Sequence, residues 1–481
     1  MSKLKNIIKQ LTEKDFQNIY HSLMESSAEK SGHLLKYMRE KQFSDSKIME
    51  ELEVNPNAYY TLRSRLNQKI EEYLILQMEN PRTDILKKVA SIQEIFFTKK
   101  KAIIVTTLKK LEKELIDYDL SSELTSVYKL LKRLHINSPD QFHYSQLYNR
   151  HIAYMLALDK AEDLLATYFR RFEDLFLQGK EFESVELTLL HNEINNVCNL
   201  YQSHRLYVYQ SATNIFHRLF VKLDDENTPT EKESIEDIFE KVNNTIETYG
   251  QDTTYYHLRT VFEFLKYEYY VHYNLFGPAE KHYNEVNDYA SVLLTNYGYY
   301  TFSPRFLFSK IERNQRLGKL ADLYEENKVL FTDYENDIYD TGRYLIYLAY
   351  RASCCFFVEK YDEAAKYLNS LLNELSLKKF PEAQLEIKIL LALQYCLMRD
   401  EELFNQLINS VQRQVRILGK EDCEHITLFI KMMKSSLNEK GRSRQQKINT
   451  LMQKLNERKA KGFSIMKMIK MDDRLVQQLC S

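Results

Sequence analysis

The stretch LAYRASCCFFVEKYDEAAKYLNSLL, residues Leu348 to Leu372, is the starting point for predicting the architecture of this chain. It holds two amphipathic segments, each long enough for a helix, which meet at Lys360. Two helices joined by a short turn form a hairpin whose apolar faces need a neighbour to cover them. The stretch therefore predicts one helical hairpin of a larger helical assembly.

Similar breaks flank this hairpin at nearly constant spacing. Gly277, Gly318, Lys360 and Asp400 each separate two amphipathic stretches, and the steps between them are 41, 42 and 40 residues. Hairpins repeated at a fixed period stack side by side into a solenoid with one continuous core. The spacing predicts an α-solenoid with a period of about 41 residues.

The composition agrees with an all-α fold. Only 10 Gly and 7 Pro occur among 481 residues, so few positions interrupt a helix. Apolar residues make up 44% of the chain and charged residues 28%, which is typical of a globular protein rather than a disordered one. A folded helical core is expected along most of the chain.

The helical pattern divides the chain into three parts. Residues 1–80 are predicted to form an N-terminal helical domain, and residues 81–438 are predicted to form the solenoid. Within the solenoid, a hairpin turn is predicted at residues 158–160, between the stretches YNRHIAYMLAL and KAEDLLATYFRRFEDLF. The period is less regular in this first portion of the solenoid than after residue 240.

Residues 439–481 form the third part, a basic amphipathic C-terminal helix or tail. Eleven Lys and Arg but only three Asp and Glu follow Glu439. Apolar residues recur here at the spacing of one helical face: Ile448, Leu451, Met452 and Leu455. Such a helix either caps the end of the solenoid or binds an acidic protein, a nucleic acid or an anionic membrane.

The stretch from Leu348 to Leu372 resembles a tetratricopeptide repeat. The helix-packing positions that carry the resemblance are Leu348, Ala352, Tyr361 and Ala364. Arg351 and Ser376 depart from the family's usual Leu and Pro, and the observed period exceeds the usual one of about 34 residues. The resemblance implies a tetratricopeptide-like solenoid that acts as a protein-protein interaction scaffold, since stacked hairpins form a concave surface for peptides or helices.

Tyrosines crowd the hairpin around Gly277 and the junction that follows it. Too many of them follow one another for all to point into a single seam between helices. Tyr also contributes strongly to recognition, because its large ring is amphipathic. We predict that five of them line a groove that binds a peptide or helix of a partner: Tyr267, Tyr270, Tyr273, Tyr283 and Tyr300. For any single one, packing in the core with a solvated hydroxyl is the alternative.

The sequence lacks the motifs of common enzymes and metal sites. Successive glycines lie at least 20 residues apart, which excludes the GxGxxG and GxxxxGK[ST] phosphate loops and the GxSxG elbow. No HExxH occurs, and no Cys or second close His completes a metal site around His143 and His151. We therefore predict no catalytic residue, no metal site and no cofactor.

The sequence also suggests a location. The six cysteines are scattered without the spacing of a disulfide framework. No apolar run approaches the length of about 18 residues that indicates a membrane span, and the first residues lack the apolar core of a secretion signal. These features favour the cytoplasm and predict no membrane span.

Residues 44–69, SDSKIMEELEVNPNAYYTLRSRLNQK, resemble a bacterial helix-turn-helix. A short turn at Val54 would join two helices, the second of which would face DNA. The second helix would then present four side chains to phosphates and base edges: Tyr59, Arg63, Arg65 and Lys69. The resemblance implies a DNA-binding transcriptional regulator whose solenoid senses a peptide.

Other features of the N-terminal part oppose DNA binding. Met49 and Glu53 stand where the family usually has Ala and Gly, and Glu51 adds negative charge beside the DNA-facing side. Residues 1–100 carry 17 Lys and Arg against 14 Asp and Glu, whereas a DNA-binding domain is usually clearly basic. A non-enzymatic interaction scaffold is thus the leading hypothesis, and the DNA-binding regulator is the alternative.

Overall fold

The chain is all-α wherever its structure is described. The computed structural model describes residues 4, 8, 11, 13–26, 28–41, 45–78, 81–180, 185–221, 233–249, 252–296, 298–331, 340–419, 423–439, 441–458 and 462–480. Within these ranges it contains α-helices with one π-helical and one 3-10 turn, and no strand. The predicted all-α class is confirmed.

The helices fall into four groups along the chain. The first four are α1 (Glu13–Glu25), α2 (Glu29–Lys36), α3 (Asp45–Glu51) and α4 (Pro56–Met78). Six follow: α5 (Pro81–Thr98), α6 (Lys101–Asp117), α7 (Ser121–Leu134), α8 (Asp140–Leu177), α9 (Val185–Cys198) and α10 (His204–Phe220). The next twelve are α11 (Ile235–Thr248), α12 (Thr253–His272), α13 (Phe276–Asp288), α14 (Ala290–Asn296), α15 (Arg305–Leu317), α16 (Asp322–Leu330), α17 (Thr341–Phe357), α18 (Tyr361–Glu374), α19 (Pro381–Leu397), α20 (Glu401–Leu418), α21 (Glu424–Asn438) and α22 (Gly441–Asn456). Two short helices come last: α23 (Ile465–Met468) and α24 (Asp473–Cys480).

From α12 onward, consecutive helices pack together as hairpins. Five hairpins follow one another: α12–α13, α15–α16, α17–α18, α19–α20 and α21–α22. The turn of each contains one residue in the left-handed conformation, and these residues are Asn274, Gly318, Glu359, Arg399 and Gly441. The steps between these residues are 44, 41, 40 and 42. This consecutive packing is consistent with a helical-repeat solenoid.

The four predicted breaks lie at or beside helix ends. Gly318 is the C-cap of α15, and Lys360 and Asp400 are the N-caps of α18 and α20. Gly277 is instead the second residue of α13, which begins one position earlier. The left-handed residue of that turn is Asn274, with a φ of 58°. Asn tolerates this conformation better than most residues, so the turn does not need the glycine.

The first helices of the hairpins are buried far more than the second helices. In α17, 14 of 17 residues are buried, and in α19, 12 of 17. Only four of the 14 residues of α18 and four of the 18 residues of α20 are buried. A helix that is apolar all round must be covered on every side. Helices α17 and α19 therefore need neighbours on the faces turned away from α18 and α20.

Helix α8 is continuous over 38 residues. The turn predicted at residues 158–160 is therefore wrong. None of these three residues is a Gly or Pro that would end a helix, and the next buried residue, Ala161, continues the apolar face. In the second half of α8, the rings of Phe172 and Phe176 each lie 5.3 Å from the ring of Phe302. This half of α8 is thereby joined to the hairpins.

Buried apolar side chains form three clusters. They lie within residues 4–70, 85–144 and 154–479. The third cluster joins the second half of α8, the hairpins and both short C-terminal helices in one core. The predicted boundary between residues 438 and 439 falls inside this core, because α22 is the second helix of the last hairpin and buries Ile448.

Candidate functional site

A cleft of about 750 Å³ opens between α11, α12 and α13. Its aromatic lining consists of Phe239, Phe262, Tyr269 and Tyr270. We term it the tyrosine cleft. It lies in the hairpin where the sequence concentrates most of the predicted partner-binding residues.

The five predicted tyrosines do not share one surface. Tyr267 and Tyr283 are buried, with 1% and 3% of their surface exposed. Tyr270 is half-buried on the wall of the tyrosine cleft, and Tyr273, just after α12, is 51% exposed. Tyr300 is half-buried outside the cleft, where its ring packs against α10. Tyr273 does not itself line the tyrosine cleft, but its ring contacts Tyr269 on the cleft wall, so a partner in the cleft can reach both Tyr270 and Tyr273.

Tyr267 and Tyr283 pack between α12, α13 and α15. Their ring centres lie 5.6 Å apart, and they lie 6.4 and 5.7 Å from that of Phe306. The guanidinium of Arg313 lies 3.9 Å from the centre of the Tyr283 ring, which is a cation–π contact. These two tyrosines hold successive hairpins together.

Tyr269 connects the two accessible tyrosines, although the sequence did not single it out. Its ring centre lies 5.5 Å from that of Tyr270 and 4.9 Å from that of Tyr273. Its hydroxyl donates a hydrogen bond to Oε1 of Glu236 on α11, which fixes the ring across the cleft. Residues four apart on a helix are neighbours, so the spacing of Tyr269 and Tyr273 is a signal that could have indicated the pair.

A network of charged groups fixes the lining of the tyrosine cleft. Glu263 accepts hydrogen bonds from Lys266 Nζ at 2.7 Å and from His282 Nδ1 at 2.5 Å. Burial alone would raise the pKa of Glu263, but these two partners outweigh burial and lower the pKa to about 2. Lys266 also donates to Asn243 Oδ1 at 2.9 Å, which ties α12 to α11. The ring of Tyr270 stacks on His282 with 5.4 Å between ring centres, so its orientation is fixed.

The charged lining of the tyrosine cleft is acidic on balance. It contains five carboxylates and three cations: Glu236, Glu240, Glu247, Glu263, Glu285, Arg259, Lys266 and Lys281. Glu240 and Glu247 are exposed and lie seven residues apart, so they project from the same side of α11. A ligand with positive charge is electrostatically complementary to this side.

The side chains of the DNA-binding alternative all belong to α4. Tyr59 is 1% exposed and packs in the first apolar cluster, so it does not face solvent. Arg63 is half-buried, whereas Arg65 and Lys69 are exposed. Arg65 and Lys69 line a cavity of about 650 Å³ together with Lys30 of α2. Three cations thus meet on one side of α4.

The first helices of the hairpins hold a segment that the sequence did not single out as a site. Residues 462–480, which we term the C-terminal segment, contact α15, α17, α19, α21 and α22. We term this surface the inner groove. The signal that could have revealed it is the apolar character of α17 and α19 on all sides, because an open groove needs a polar face.

Comparison with known proteins finds no family model, no curated protein and no solved structure that matches this chain. Among the described residues, the side chains of His, Cys, Asp and Glu do not gather into a group of three or more that could hold a metal ion. None of the described helices is both long enough and apolar enough to cross a membrane. The geometry of the tyrosine cleft is therefore the basis for a functional conclusion.

Proposed function

We propose that this chain is a non-enzymatic protein-protein interaction scaffold that binds a basic amphipathic peptide or helix in the tyrosine cleft. One observation carries the proposal: aromatic side chains and exposed carboxylates line the same cleft. Tyr270 and Tyr273 offer ring surface, and Glu240 and Glu247 offer negative charge near them. A ligand with one apolar face and one basic face complements both features.

Binding would rely on side chains that are already fixed. Tyr270 stacks on His282, which is hydrogen-bonded to Glu263, so its ring loses little freedom when a ligand arrives. The ring of Tyr273 packs against that of Tyr269, with 4.9 Å between the ring centres, which restricts its movement as well. Fixed aromatic anchors contribute most of the affinity of an interface, while charges around them set orientation and association rate.

Two finer assignments are part of the same proposal. We infer tetratricopeptide-type hairpins, because Ala352 and Ala364 are fully buried in the hairpin α17–α18, as small residues at the family's packing positions would be. We infer the cytoplasm as the location, because the cysteines are free thiols, which is typical of a reducing compartment.

A peptide selection tests the proposed site. Random helical peptides are selected on the full chain, and the affinities of the selected peptides are then measured by calorimetry. We expect them to carry Lys or Arg on one face and apolar residues on the other. Tyr273→Ala should weaken their binding about fivefold or more, because truncating an aromatic anchor costs more than about 1 kcal/mol. Tyr299→Ala is the matched control, since Tyr299 is 62% exposed and lies outside the tyrosine cleft.

Charge reversal provides a second arm of this test. Glu240→Lys combined with Glu247→Lys should weaken binding of the basic peptides and reduce its dependence on salt. Peptides that bind equally well to the wild type, to Tyr273→Ala and to the charge-reversed chain would show that the site is elsewhere.

One observation favours the alternative, a DNA-binding transcriptional regulator. Glu53 joins α3 to α4 with a φ of 50°, in the left-handed region. This is the position where a helix-turn-helix usually has Gly, which enters that region at no steric cost. A tight turn is thus present without the glycine, and Arg65 and Lys69 are exposed on the helix that follows.

Duplex DNA binding at several salt concentrations tests this alternative. Under it, affinity falls steeply as salt rises, because phosphate contacts release counterions. Arg65→Glu combined with Lys69→Glu should remove binding, whereas Lys87→Glu on α5 should leave it unchanged. Absence of binding at low salt, or binding that survives the two reversals on α4, excludes a DNA-binding role for this helix.

A further inference from the structure

The geometry points to a second peptide-binding surface: the inner groove, which the chain's own C-terminal segment occupies and from which a partner segment of the same chemistry displaces it. The inner groove consists of α15, α17, α19, α21 and α22. The residues that line the tyrosine cleft belong to α11, α12 and α13. The two surfaces can therefore be tested separately.

The C-terminal segment enters the inner groove through close backbone contacts. Phe463 N donates a hydrogen bond to Phe176 O at 2.8 Å. Gly462 has a φ of 54°, and a side chain there would overlap Phe176 O and lie 2.7 Å from Gly179 Cα. Glycine is therefore required where the segment approaches the end of α8.

One aromatic ring anchors this end of the C-terminal segment. Phe463 is 4% exposed, and its ring centre lies 6.3 Å from that of Phe176 and 6.4 Å from that of Phe308. The ring thereby fills the space between α8 and α15. An aromatic anchor in an apolar pocket is a frequent way of holding a peptide.

The next residues form α23, and the start of α23 is bonded to α19. Ser464 caps the helix by accepting a hydrogen bond from Met466 N at 3.3 Å. Ile465 N donates to Glu386 Oε2 at 2.9 Å, and the other oxygen of Glu386 is hydrogen-bonded to His425 Nε2 at 2.6 Å. The carboxylate of Glu386 thus holds a backbone N–H, which any bound peptide other than one with proline there would supply.

Apolar side chains continue the contact along the inner groove. Those with at most 4% exposure after Phe463 are Ile465, Met468, Ile469, Leu475, Val476 and Leu479. At the far end, Leu479 O accepts a hydrogen bond from Ser436 Oγ at 2.5 Å, and Arg474 Nη2 donates to Phe357 O at 3.1 Å. Apolar side chains and backbone groups together hold the segment, as in the binding of an amphipathic peptide to a helical groove.

Lys467 makes the C-terminal segment an imperfect ligand. Its ammonium is partly buried, and burial lowers the pKa of Lys467 to about 8, with the nearby guanidinium of Arg305 acting in the same direction. Its Nζ donates to Gly462 O at 2.8 Å, a bond inside the segment itself, and lies 5.4 Å from the centre of the Phe176 ring, a cation–π contact that offsets part of the cost of burial. Desolvating an ammonium opposes binding, and an uncharged side chain avoids this cost. A partner with an uncharged residue at this position would bind more tightly and displace the segment.

The contacts define the chemistry of the partner. It is an amphipathic segment with an aromatic residue, a hydroxyl-bearing cap and aliphatic residues at the spacing of Phe463, Ser464, Ile465, Met468 and Ile469. The inner groove recognises this pattern through contacts with the apolar side chains. Glu386 instead binds a backbone N–H, which does not depend on the side chain. Specificity therefore comes from the positions of the apolar side chains.

Gly462→Ala in the full chain tests the proposal. The added methyl group overlaps Phe176 O and strains the backbone, so it should release the C-terminal segment. Gly441→Ala is the matched control, because Gly441 also has a positive φ, of 68°, but has open space around its Cα. The probe is a fluorescent synthetic peptide of residues 462–480, and its binding is measured by fluorescence polarisation.

We expect the Gly462→Ala chain to bind this peptide at least about tenfold more tightly than the wild type and the Gly441→Ala chain, whose inner grooves are occupied. A peptide with Lys467→Met should bind more tightly still. Equally weak binding by all three chains, each shown by circular dichroism to be folded, overturns the proposal. Exchange of the segment between two copies of Gly462→Ala, seen as a dimer, assigns the groove to a second copy and also overturns it.

A second variant covers the case in which Gly462→Ala fails to fold. A protease site is introduced at residues 459–461, which lie outside the described residues, so that the residues whose contacts are named above keep their identity. After cleavage, an excess of labelled peptide should replace the severed segment, as measured by native mass spectrometry. Retention of the severed segment, or loss of helical structure on cleavage, makes the segment an inseparable part of the core and overturns the proposal.

Discussion

The inner groove and the tyrosine cleft both belong to the stacked helices, but they differ in how their apolar surface is covered. In α17 and α19 of the inner groove, 14 and 12 of 17 residues are buried. Helix α11 at the cleft keeps Glu236, Glu240 and Glu247 exposed. The inner groove is covered by the chain itself, whereas the cleft keeps charged side chains exposed and is the site where we propose that a partner binds. The polarity of a helix face thus indicates whether the fold already supplies its neighbour.

Removing a buried ring from the inner groove should give the largest effect on stability. Phe463→Ala leaves a cavity between α8 and α15, where the ring is 4% exposed. We expect the free energy of unfolding to fall by about 3 kcal/mol, since that is the lower end of the range for truncating a buried Phe. Urea denaturation followed by circular dichroism measures the loss. A change below about 0.5 kcal/mol, as is usual for surface sites, would show that the groove is not tightly filled.

Replacing Glu386, which anchors the C-terminal segment, should give the next largest loss of stability. Glu386→Gln removes the charge that holds His425 and weakens the acceptor for Ile465 N. We expect a loss of about 1–3 kcal/mol at slightly acidic pH, which is the usual cost of disrupting a buried hydrogen bond to a charged group. The same urea experiment on wild type and variant measures it.

The same variant tests the pH dependence of this anchor. Burial alone would lower the pKa of His425, but the hydrogen bond to Glu386 outweighs burial and raises the pKa. A raised pKa means that the stabilisation is fully present below the unfolded value of about 6.5 and is lost as pH rises through the folded value. The advantage of the wild type over Glu386→Gln should therefore shrink as pH rises above about 6.5. An advantage that is constant with pH would exclude protonated His425 as its source.

Replacing Lys467 is expected to increase the stability, by a smaller amount. Lys467→Met removes the partly buried ammonium whose pKa is lowered to about 8. We expect a gain of about 1 kcal/mol at neutral pH, because each unit of lowered amine pKa corresponds to about 1.4 kcal/mol and the lost hydrogen bond to Gly462 O offsets part of it. A variant less stable than the wild type would show that the ammonium is a favourable contact.

The smallest effect on stability is expected beside the tyrosine cleft, at Tyr273. Tyr273→Ala should change the free energy of unfolding by less than about 0.5 kcal/mol, because Tyr273 is 51% exposed. Peptide binding should nevertheless fall, which separates a role in recognition from a role in the fold. A large loss of stability would place Tyr273 with the buried tyrosines and remove the contrast between the two surfaces.

The sequence predicted the hairpins because their turns carry local signals. Lys360 and Asp400 stand at helix starts, and Gly318 stands at a helix end. The course of α8 could not be predicted in this way. The backbone stays helical through residues 158–160, and only the helices that pack against α8 differ before and after them. The contact of Phe463 with Phe176 depends on packing between distant parts of the chain, for which a single sequence gives no local signal.

The candidate site was predictable only in part. The sequence located the tyrosine-rich hairpin, but it did not separate buried Tyr267 and Tyr283 from accessible Tyr270 and Tyr273. The reason is that residues 261–269 of α12 are all buried, Glu263, Lys266 and Glu268 included, so the charged positions do not mark a solvent-exposed face. The packing of α10, α11, α13 and α15 around α12 decides which rings remain accessible.

Native-state hydrogen exchange most directly tests whether the C-terminal segment is a ligand of the inner groove. The amides of Phe463 and Ile465 are bonded to Phe176 O and Glu386, and can be compared with amides inside α19. We expect both to exchange faster than those of α19, because the segment opens without unfolding the hairpins. Equal exchange rates in the segment and in α19 would mean that both exchange only through global unfolding. That result would contradict the presence of a displaceable ligand.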